Sequence, residues 1–448
     1  MNDELLAFLI ADFQSRPLPT VVPRDIHAPM LPGKATTFIG MRRSGKTYAM
    51  FDLMQRLLTQ GTSPEQIVYF NLEDERLGEP DTGMLDRALE LFYRRSPSAR
   101  ETRAFVFLDE IQVVPDWERF VRRILATENV QVVLSGSSAK LLSTDIATSL
   151  RGYSFAVEVL PFGLREVMRA ADEEVASAPW PPGAAERSRA ANRLDGHLVT
   201  GGFPEVLDVH PFDRVQILQG YVETVMLKDV AERHRVTNLI AMRHLVQALF
   251  SANANEFSVS KLHGTLLAQG VKVSKQTLLE YLGYLTDAYL VFLVSLRSRS
   301  EKQRLVNARK VYAVDPGLAA AMYSGGATNL GAQLENFVYL QIRRSRGILA
   351  NSSISYYRTK GGFEVDFAVE PLVPDDHLAL VQACTSLAQP ATREREIRAL
   401  TEAMAETGVE ESLVVTMSER ESIETPAGII RVVPAWEWAL GQPLAEER

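Results

Sequence analysis

Residues 37–50 read TFIGMRRSGKTYAM and fit the pattern of a phosphate-binding loop at every required position. An apolar run leads into Gly40, and four residues then separate Gly40 from Gly45-Lys46-Thr47. The two glycines let the backbone turn so that successive N–H groups can surround a phosphate. We expect Lys46 to reach the β- and γ-phosphates as a binding and catalytic residue, and Thr47 to hold Mg²⁺. The predicted nucleotide-binding residues are Gly40, Arg43, Ser44, Gly45, Lys46 and Thr47.

Length and composition limit the remaining possibilities. A chain of 448 residues suggests about two or three domains, and a net charge of −8 argues against a protein that coats nucleic acid through its overall charge. The single cysteine, Cys384, excludes an internal disulfide. No apolar run approaches the roughly 20 residues that span a bilayer, and the acidic start is unlike a signal peptide. We therefore expect a soluble cytoplasmic protein with no membrane partner.

The first part of the chain predicts an α/β fold around the loop. Residues 1–35 suggest an opening helix and a proline-rich connector. Residues 36–170 then alternate short β-branched runs with helical patterns. This alternation is typical of a parallel sheet covered by helices on both faces, as in the core of a P-loop NTPase.

Two further strands of this core end in polar residues. One apolar strand ends in Asp109 and Glu110, which are expected to hold Mg²⁺ through water and to act as general base, respectively. The next strand ends at Ser135, which is either a sensor of the γ-phosphate or part of an ordinary helix start capped by Ser137 or Ser138.

The order of these motifs resembles a known family. The runs GMRRSGKT, FLDEIQ, LSGSS, LRGY and VLPFGLRE look like those of AAA-type ATPases whose C-terminal half carries the domain DUF4143. The resemblance implies that Asp109 to Gln112 form the Walker B motif. It also implies that Arg151 is either an arginine finger for a neighbouring subunit, in a homo-oligomer, or a surface arginine in an ordinary ion pair.

The middle of the chain divides by composition and helical pattern. Residues 171–193 suggest a linker, and residues 194–240 match the helical lid segment of the family. Within that segment, the turn Gly201 to Pro204 either closes over a nucleotide or simply joins two helices, and we favour the simple turn.

Residues 241–310 have the layout of a winged helix. Between Lys228 and Lys310 there are thirteen Lys or Arg against six Asp or Glu, and such a basic segment supports phosphate contact. Winged helices also serve as protein-docking modules, so DNA and a partner protein remain alternative partners of this segment. The candidate DNA-binding residues, around the start of the last helix, are Lys272, Ser274, Lys275, Gln276 and Thr277.

Residues 311–448 have the outline of a restriction-endonuclease-like α/β domain. Glu335 and Asp366 stand where such nucleases hold Mg²⁺. Gln382 and Cys384 then replace the expected acid and lysine, and neither can perform the role of the residue it replaces. We expect a fold kept for binding or assembly without cleavage, although Lys360 on the hairpin leaves weak activity open.

The sequence therefore predicts an ATPase with ATP and Mg²⁺ as cofactors, coupling nucleotide state to a DNA-binding C-terminal half. The alternatives are a nucleotide-controlled switch that docks a partner protein without touching DNA, and an ATP-gated Mg²⁺-dependent nuclease. The motifs do not distinguish branched, duplex and single-stranded DNA.

Overall fold

The computed structural model of the chain describes residues 3–136, 152–171, 183–298, 300, 307–323, 329–373 and 376–441. Within this part of the chain, no helix is long and apolar enough to cross a membrane. The described residues fall into two compact units, here called unit 1, which ends at Val159, and unit 2, which begins at Leu160.

Within its described residues, unit 1 contains a five-stranded sheet and five α-helices. Its strands are β1 (Ala35–Ile39), β2 (Ile67–Asn71), β3 (Ala104–Asp109), β4 (Val130–Ser135) and β5 (Ser154–Glu158). Its helices are α1 (Asp3–Ser15), α2 (Lys46–Thr59), α3 (Thr82–Arg95), α4 (Pro97–Glu101) and α5 (Trp117–Thr127). The strand order is β2-β3-β4-β1-β5, and every pairing is parallel. This arrangement confirms the predicted α/β fold with a parallel sheet.

The apolar runs explain why these strands form the centre of unit 1. Every residue of β1, β3 and β4 is buried, as expected for parallel strands covered on both faces. Helix α2 packs on the sheet through Met50, Met54 and Leu57, which join the core formed with Phe38 and Phe107. This packing fixes the helix that follows the phosphate loop against the strand that precedes it.

The strand register brings the predicted polar residues to one edge. Strand β1 pairs with β4 so that Phe38 lies opposite Ser135, and β3 lies between β4 and β2. Because the carboxyl ends of parallel strands meet at the same edge, Gly40, Asp109 and Ser135 all lie there.

In the described part of unit 2, nine strands form one mixed sheet. Its strands are β6 (Glu256–Phe257), β7 (Val291–Leu296), β8 (Arg309–Ala313), β9 (Ile354–Arg358), β10 (Glu364–Val369), β11 (Ala379–Ala383), β12 (Glu411–Thr416), β13 (Glu421–Thr425) and β14 (Gly428–Pro434). Their order is β13-β14-β12-β11-β10-β9-β7-β8-β6, and the parallel pair β7–β9 joins the last three strands to the rest. The domain boundary predicted at residue 310 falls inside β8, so the segments on either side of it share one sheet.

Unit 2 also contains helices. They are α6 (Leu164–Ala170), α7 (Ala184–Thr200), α8 (Pro211–Thr224), a π-helix (Val225–Glu232), α9 (Leu239–Ser251), α10 (Val259–Ala268), α11 (Lys275–Asp287), α12 (Pro316–Met322), α13 (Leu330–Arg346), α14 (Ala350–Ser353), α15 (Pro390–Thr407) and α16 (Ala435–Gly441). Helices α9, α10 and α11 share a small core of Ala241, Leu266 and Leu278. Together with β6, β7 and β8 they follow the element order helix, strand, helix, helix, strand, strand.

The segment predicted as a linker over residues 171–193 is helical in its second part. Helix α7 begins at Ala184, and the backbone N–H of Gly183 donates to Glu186 Oε2 at 2.7 Å. The prolines that suggested a linker stop before this point, and the run that follows is rich in Ala, Glu and Arg, which are good helix formers.

The turn at Gly201 and Gly202 is closely packed within unit 2. Both glycines are buried, and a Cβ at Gly202 would lie 2.0 Å from the carbonyl oxygen of Phe162. The N–H of Gly202 donates to Asp315 Oδ2 at 2.7 Å. Packing against neighbouring elements thus accounts for both glycines, in agreement with the simple interhelical turn that we favoured.

Candidate active site

The phosphate loop has the backbone that its glycines permit. Gly45, which caps α2, has φ of 95°, in the left-handed region that favours glycine. A Cβ at Gly40 would lie only 2.2 Å from the carbonyl oxygen of Val159, which follows β5. Arg43 also has positive φ, 69°, and such a backbone is uncommon for a residue with a side chain. The loop is therefore held in a shape that presents backbone N–H groups at the start of a helix.

Lys46 and Ser44 are the buried polar side chains of this loop. Lys46 Nζ donates to the carbonyl oxygens of Gly40 and Met41, at 3.2 Å each, so the ammonium folds back on its own loop. Ser44 Oγ is buried and has no hydrogen-bond partner among the described residues. A phosphate bound in the loop would offer both groups an acceptor oxygen, which fits the predicted role of the loop.

Asp109 lies at the centre of the polar edge and accepts three hydroxyl hydrogen bonds. Thr47 Oγ1 donates to Asp109 Oδ2 at 2.7 Å, and Tyr69 Oη donates to the same oxygen at 3.0 Å. Ser135 Oγ donates to the other oxygen, Oδ1. We call these four residues the Asp109 centre. All three donors are neutral hydroxyls, and none of them is a cation.

The chemistry of these donors suits a magnesium ion. Mg²⁺ prefers hard oxygen ligands and is held in nucleotide sites by one or two carboxylates together with substrate phosphates. Thr47 and Asp109 supply a hydroxyl and a carboxylate beside the phosphate loop, as predicted. The structure thus brings together the two residues that were expected to hold the ion.

Glu110 stands next to this centre with an unusual backbone. Its φ of 54° lies in the left-handed region, which is sparsely populated by residues with side chains. Its N–H donates to Ser135 Oγ at 3.2 Å, and its Oε2 accepts a hydrogen bond from Gln112 Nε2. Ser135 therefore touches both Asp109 and Glu110, whereas Gln112 holds the carboxylate expected to act as base.

Tyr69 was missed in the sequence. It lies on β2, and its ring packs on Phe13 of α1 and on Phe51 of α2. Burial and the neighbouring Asp109 raise the pKa of its hydroxyl far above the ordinary range, so it remains a neutral donor. A tyrosine within an apolar strand looks like a core residue, and only the pairing of β2 with β3 places it beside Asp109.

Arg24, in the proline-rich connector, was also missed. Its Nη1 donates to the carbonyl oxygen of Ser44 at 3.2 Å. Its own backbone is fixed on α2, because its N–H donates to Asp52 Oδ2 at 3.1 Å and its carbonyl oxygen accepts from Arg56 Nη2 at 2.7 Å. The connector therefore contributes a buried arginine that donates a hydrogen bond to the backbone of the phosphate loop. The sequence did not indicate this role, because the prolines of the connector predicted only a spacer.

Some predicted residues lie elsewhere or outside the described part of the chain. Arg151, Ser137 and Ser138 are outside the described residues. Lys272, Ser274, Lys275 and Gln276 are exposed in unit 2, and Thr277 is half-buried. Ser274 Oγ accepts from the N–H of Thr277 at 2.9 Å and so caps α11, while Gln276 Nε2 donates to Glu280 at 3.1 Å. The two lysines are thus the members of this set whose charged groups face solvent.

The nuclease-like residues of unit 2 do come together, around a residue that was not predicted. Glu335 and Asp366 each place a carboxylate oxygen 2.9 Å from Lys310 Nζ. Gln382 Oε1 accepts from the N–H of Asp366 at 3.1 Å, and Cys384 is a buried thiol whose pKa is raised by burial. Lys360, the predicted substitute lysine, is exposed on its hairpin.

Models of known protein families match segments of both units. An AAA domain model matches residues 32–168, and a domain of unknown function, DUF8612, matches residues 191–333. The predicted DUF4143 domain is therefore not shown. The model that matches residues 191–333 is DUF8612 instead.

Relatives cover most of the chain. An uncharacterized protein of Methanocaldococcus jannaschii, MJ1544, is 32% identical over 94% of this chain and 91% of its own length. An uncharacterized protein of Haemophilus influenzae is 28% identical over 69% of this chain and 76% of its own length. Among solved structures, a Walker-type ATPase of Pyrococcus abyssi covers 72% of this chain and 95% of its own, at 14% identity and a TM-score of 0.40, too low to support an argument. The chain belongs to the same family as the Methanocaldococcus protein, and its first unit is an AAA-type P-loop domain.

Proposed function

We propose that the chain binds and hydrolyses ATP at the edge of the unit 1 sheet. The observation that carries this proposal is the hydrogen bond of 2.7 Å between Thr47 Oγ1 and Asp109 Oδ2, beside Lys46 and the phosphate loop. It joins the two residues that a nucleotide-bound Mg²⁺ ion requires, although they are separated by 62 positions in the sequence.

Each residue of the site has a role in this reaction. The loop N–H groups, Ser44 and Lys46 would bind phosphate oxygens, and Thr47 and Asp109 would hold a Mg²⁺ ion, which would supply charge neutralisation at the phosphates. Glu110 accepts the proton of the attacking water. Ser135, which contacts both Asp109 and Glu110, is the candidate sensor of the γ-phosphate.

An assay of phosphate release tests this activity. The variant Lys46→Ala removes the cation that reaches the phosphates, and we expect phosphate release to fall by at least about 100-fold. Lys34→Ala is the matched control, since Lys34 lies just before β1 outside the loop, and it should keep the wild-type rate. Undiminished release by Lys46→Ala would refute the proposal.

We further propose that α9 to α11 with β6 to β8 act as a winged helix that contacts DNA. The element order supports it, and so do the solvent-facing Lys272 and Lys275 at the start of α11. The hydroxyls of Ser274 and Thr277 are engaged with each other at 2.8 Å, so the lysines carry the proposed phosphate contact. Nucleotide state in unit 1 would then regulate this contact, in a cytoplasmic protein that assembles with further copies of itself if Arg151 acts in trans.

The salt dependence of DNA affinity, compared between matched variants, tests this contact. Single-stranded, duplex and branched DNA are titrated at two salt concentrations against wild type, against Lys272→Ala/Lys275→Ala, and against the control Lys360→Ala. Each lost phosphate contact should reduce the salt slope by about one. An affinity equal in wild type and the double variant would contradict contact through α11.

A second candidate, a nucleotide-controlled protein-docking switch, rests on a different observation. Leu279 on α11 and Leu267 on α10 are exposed, at 38% and 50%, and Leu279 lies one helical turn from Lys275. Exposed leucine side chains offer apolar area that a partner protein could bury. ATP hydrolysis that no form of DNA stimulates, together with no salt-dependent DNA binding, would favour this candidate.

A further inference from the structure

Lys310 is surrounded by three acidic side chains in unit 2. Its Nζ lies 2.9 Å from an oxygen of each of Glu335, Glu364 and Asp366. The Lys310 side chain is only 4% exposed. We call these four residues the Lys310 centre. An ammonium has three N–H donors, and here each can meet a different acidic group, so the cation is fully satisfied.

Three separate elements build this centre. Lys310 comes from β8, Glu335 from α13, and Glu364 and Asp366 from β10. Alternate residues of a strand face the same side, which is why Glu364 and Asp366 point together towards Lys310. The register of β10 against β9 shifts between Val365 and Ala368, so the strand is irregular at Asp366.

Hydrogen bonds fix the acidic groups in place. Asp366 Oδ2 accepts from the N–H of Ala383 at 3.0 Å, and Glu335 Oε1 accepts from Tyr312 Oη at 2.8 Å. Burial alone would lower the pKa of Lys310, but Asp366, Glu335 and Glu364 raise it above its ordinary value. The ammonium therefore remains charged, and its position is determined by neighbours that are themselves held.

A cavity of about 320 Å³ adjoins the centre. It is lined in part by Glu335, Ala383, Glu396 and Arg395, so it reaches one of the three acidic groups. Both ends of the Gln382 amide are engaged in hydrogen bonds. Its nitrogen donates to Glu396 at 2.7 Å, and its oxygen accepts from the backbone N–H of Asp366. Solvent and small ions thus have a route towards Glu335, where the ammonium already occupies the space between the acids.

We propose that the Lys310 ammonium takes the place of a divalent cation in this centre. Oxygens from two carboxylate-bearing elements around one point form the type of donor set that Mg²⁺ and Mn²⁺ select, and here a side chain supplies the positive charge instead. Unit 2 then holds no divalent ion at this position. Removal of the ammonium converts the same acidic groups into a divalent-cation site. This inference does not depend on ATP hydrolysis.

Binding of Mn²⁺ to nucleotide-free protein tests the proposal. All variants carry Asp109→Asn, so that the Asp109 centre contributes no carboxylate. Electron paramagnetic resonance should detect no bound Mn²⁺ in this background or with the control Lys360→Ala, and about one ion per chain with Lys310→Ala. Adding Glu335→Gln to Lys310→Ala should weaken Mn²⁺ binding at least about tenfold.

Thermal unfolding keeps the test decisive if Lys310→Ala folds poorly. In that case Mn²⁺ should restore a cooperative transition that EDTA abolishes, because the ion neutralises the buried acids. Lys310→Met, which fills the space with an apolar chain, should not respond to Mn²⁺. The proposal is overturned if Lys310→Ala neither binds nor responds to Mn²⁺. It is also overturned if the background with Lys310 intact binds Mn²⁺ that Asp366→Asn removes.

Discussion

The two units each contain a buried acidic centre, and the two centres are satisfied in opposite ways. In unit 1, Asp109 accepts hydrogen bonds from the neutral hydroxyls of Thr47, Tyr69 and Ser135. In unit 2, three acidic groups share the ammonium of Lys310. In the first centre the three donors are neutral hydroxyls beside a phosphate loop, whereas the second centre contains its own cation.

On the proposed function, this difference distinguishes a carboxylate that can take a metal ion from carboxylates already paired with a cation. Hydroxyl donors orient a carboxylate without neutralising it, and a threonine hydroxyl can turn from donor to ligand when an ion arrives. An ammonium orients and neutralises at once, so an incoming ion would have to displace a buried charge that three acids hold. We therefore expect the Asp109 centre to bind a divalent ion and the Lys310 centre to stabilise the fold of unit 2.

The largest effect should come from matched changes in the two centres. Asp109→Asn removes the charge proposed to hold Mg²⁺ and should lower kcat for ATP by about 100- to 1,000-fold, because a bound Mg²⁺ ion stabilises the transition state by several kcal/mol. Asp366→Asn, the same change in the Lys310 centre, should leave kcat within about twofold but lower the melting temperature. The comparison fails if phosphate release falls equally in both variants while both remain folded.

A smaller effect is expected at Tyr69. Tyr69→Phe keeps the packing on Phe13 and Phe51 but removes one of the three hydrogen bonds to Asp109. Because a hydrogen bond to a charged group contributes about 1.5 kcal/mol or more, kcat should fall at least about tenfold, and the Mg²⁺ concentration for half-maximal activity should rise. A merely structural tyrosine would change the melting temperature without moving the Mg²⁺ dependence. Titration of activity with Mg²⁺ in both proteins separates these outcomes.

The smallest effect concerns the pH dependence of stability. Burial and the neighbouring Asp366 raise the pKa of Glu335 to about 8, above its ordinary value near 4.5. The folded protein therefore holds this proton more tightly than the unfolded chain, and the stability it contributes is lost as pH rises from about 5 to 8. Glu335→Gln does not titrate, so its melting temperature should gain on wild type by about 2–4 °C across that interval. A constant difference between pH 5 and pH 8 would show that Glu335 does not titrate there.

Local patterns were sufficient to predict unit 1. The phosphate loop needs glycine at fixed spacing, and strands buried on both faces give continuous apolar runs, so the parallel sheet and the positions of Lys46, Thr47 and Asp109 could be predicted from neighbouring residues alone. Tyr69 could not, because its contact with Asp109 depends on which strand lies beside β3. Its sequence neighbourhood is that of a core residue.

Unit 2 depends more on contacts between distant residues. Lys310 is 25 positions from Glu335 and 56 from Asp366, and nothing in its local sequence indicates that β8 faces both acids. The pairing of β8 with distant strands was also not visible in the sequence, and for that reason the predicted boundary at residue 310 falls inside β8. The helical start of α7 was missed for a local reason, since prolines upstream outweighed the Ala- and Glu-rich run that forms the helix. Arg151 stays a prediction.

The most direct test is the rate of phosphate release by wild type and by Glu110→Gln, measured with Mg²⁺ and with EDTA. The variant keeps the shape of the side chain but cannot accept the proton of the attacking water. We predict that wild type releases phosphate only with Mg²⁺, and that Glu110→Gln still binds ATP but hydrolyses it at least about 100-fold more slowly. Equal rates in the two proteins, or wild-type hydrolysis that persists in EDTA, would contradict the assignment of the Asp109 centre as the ATPase site.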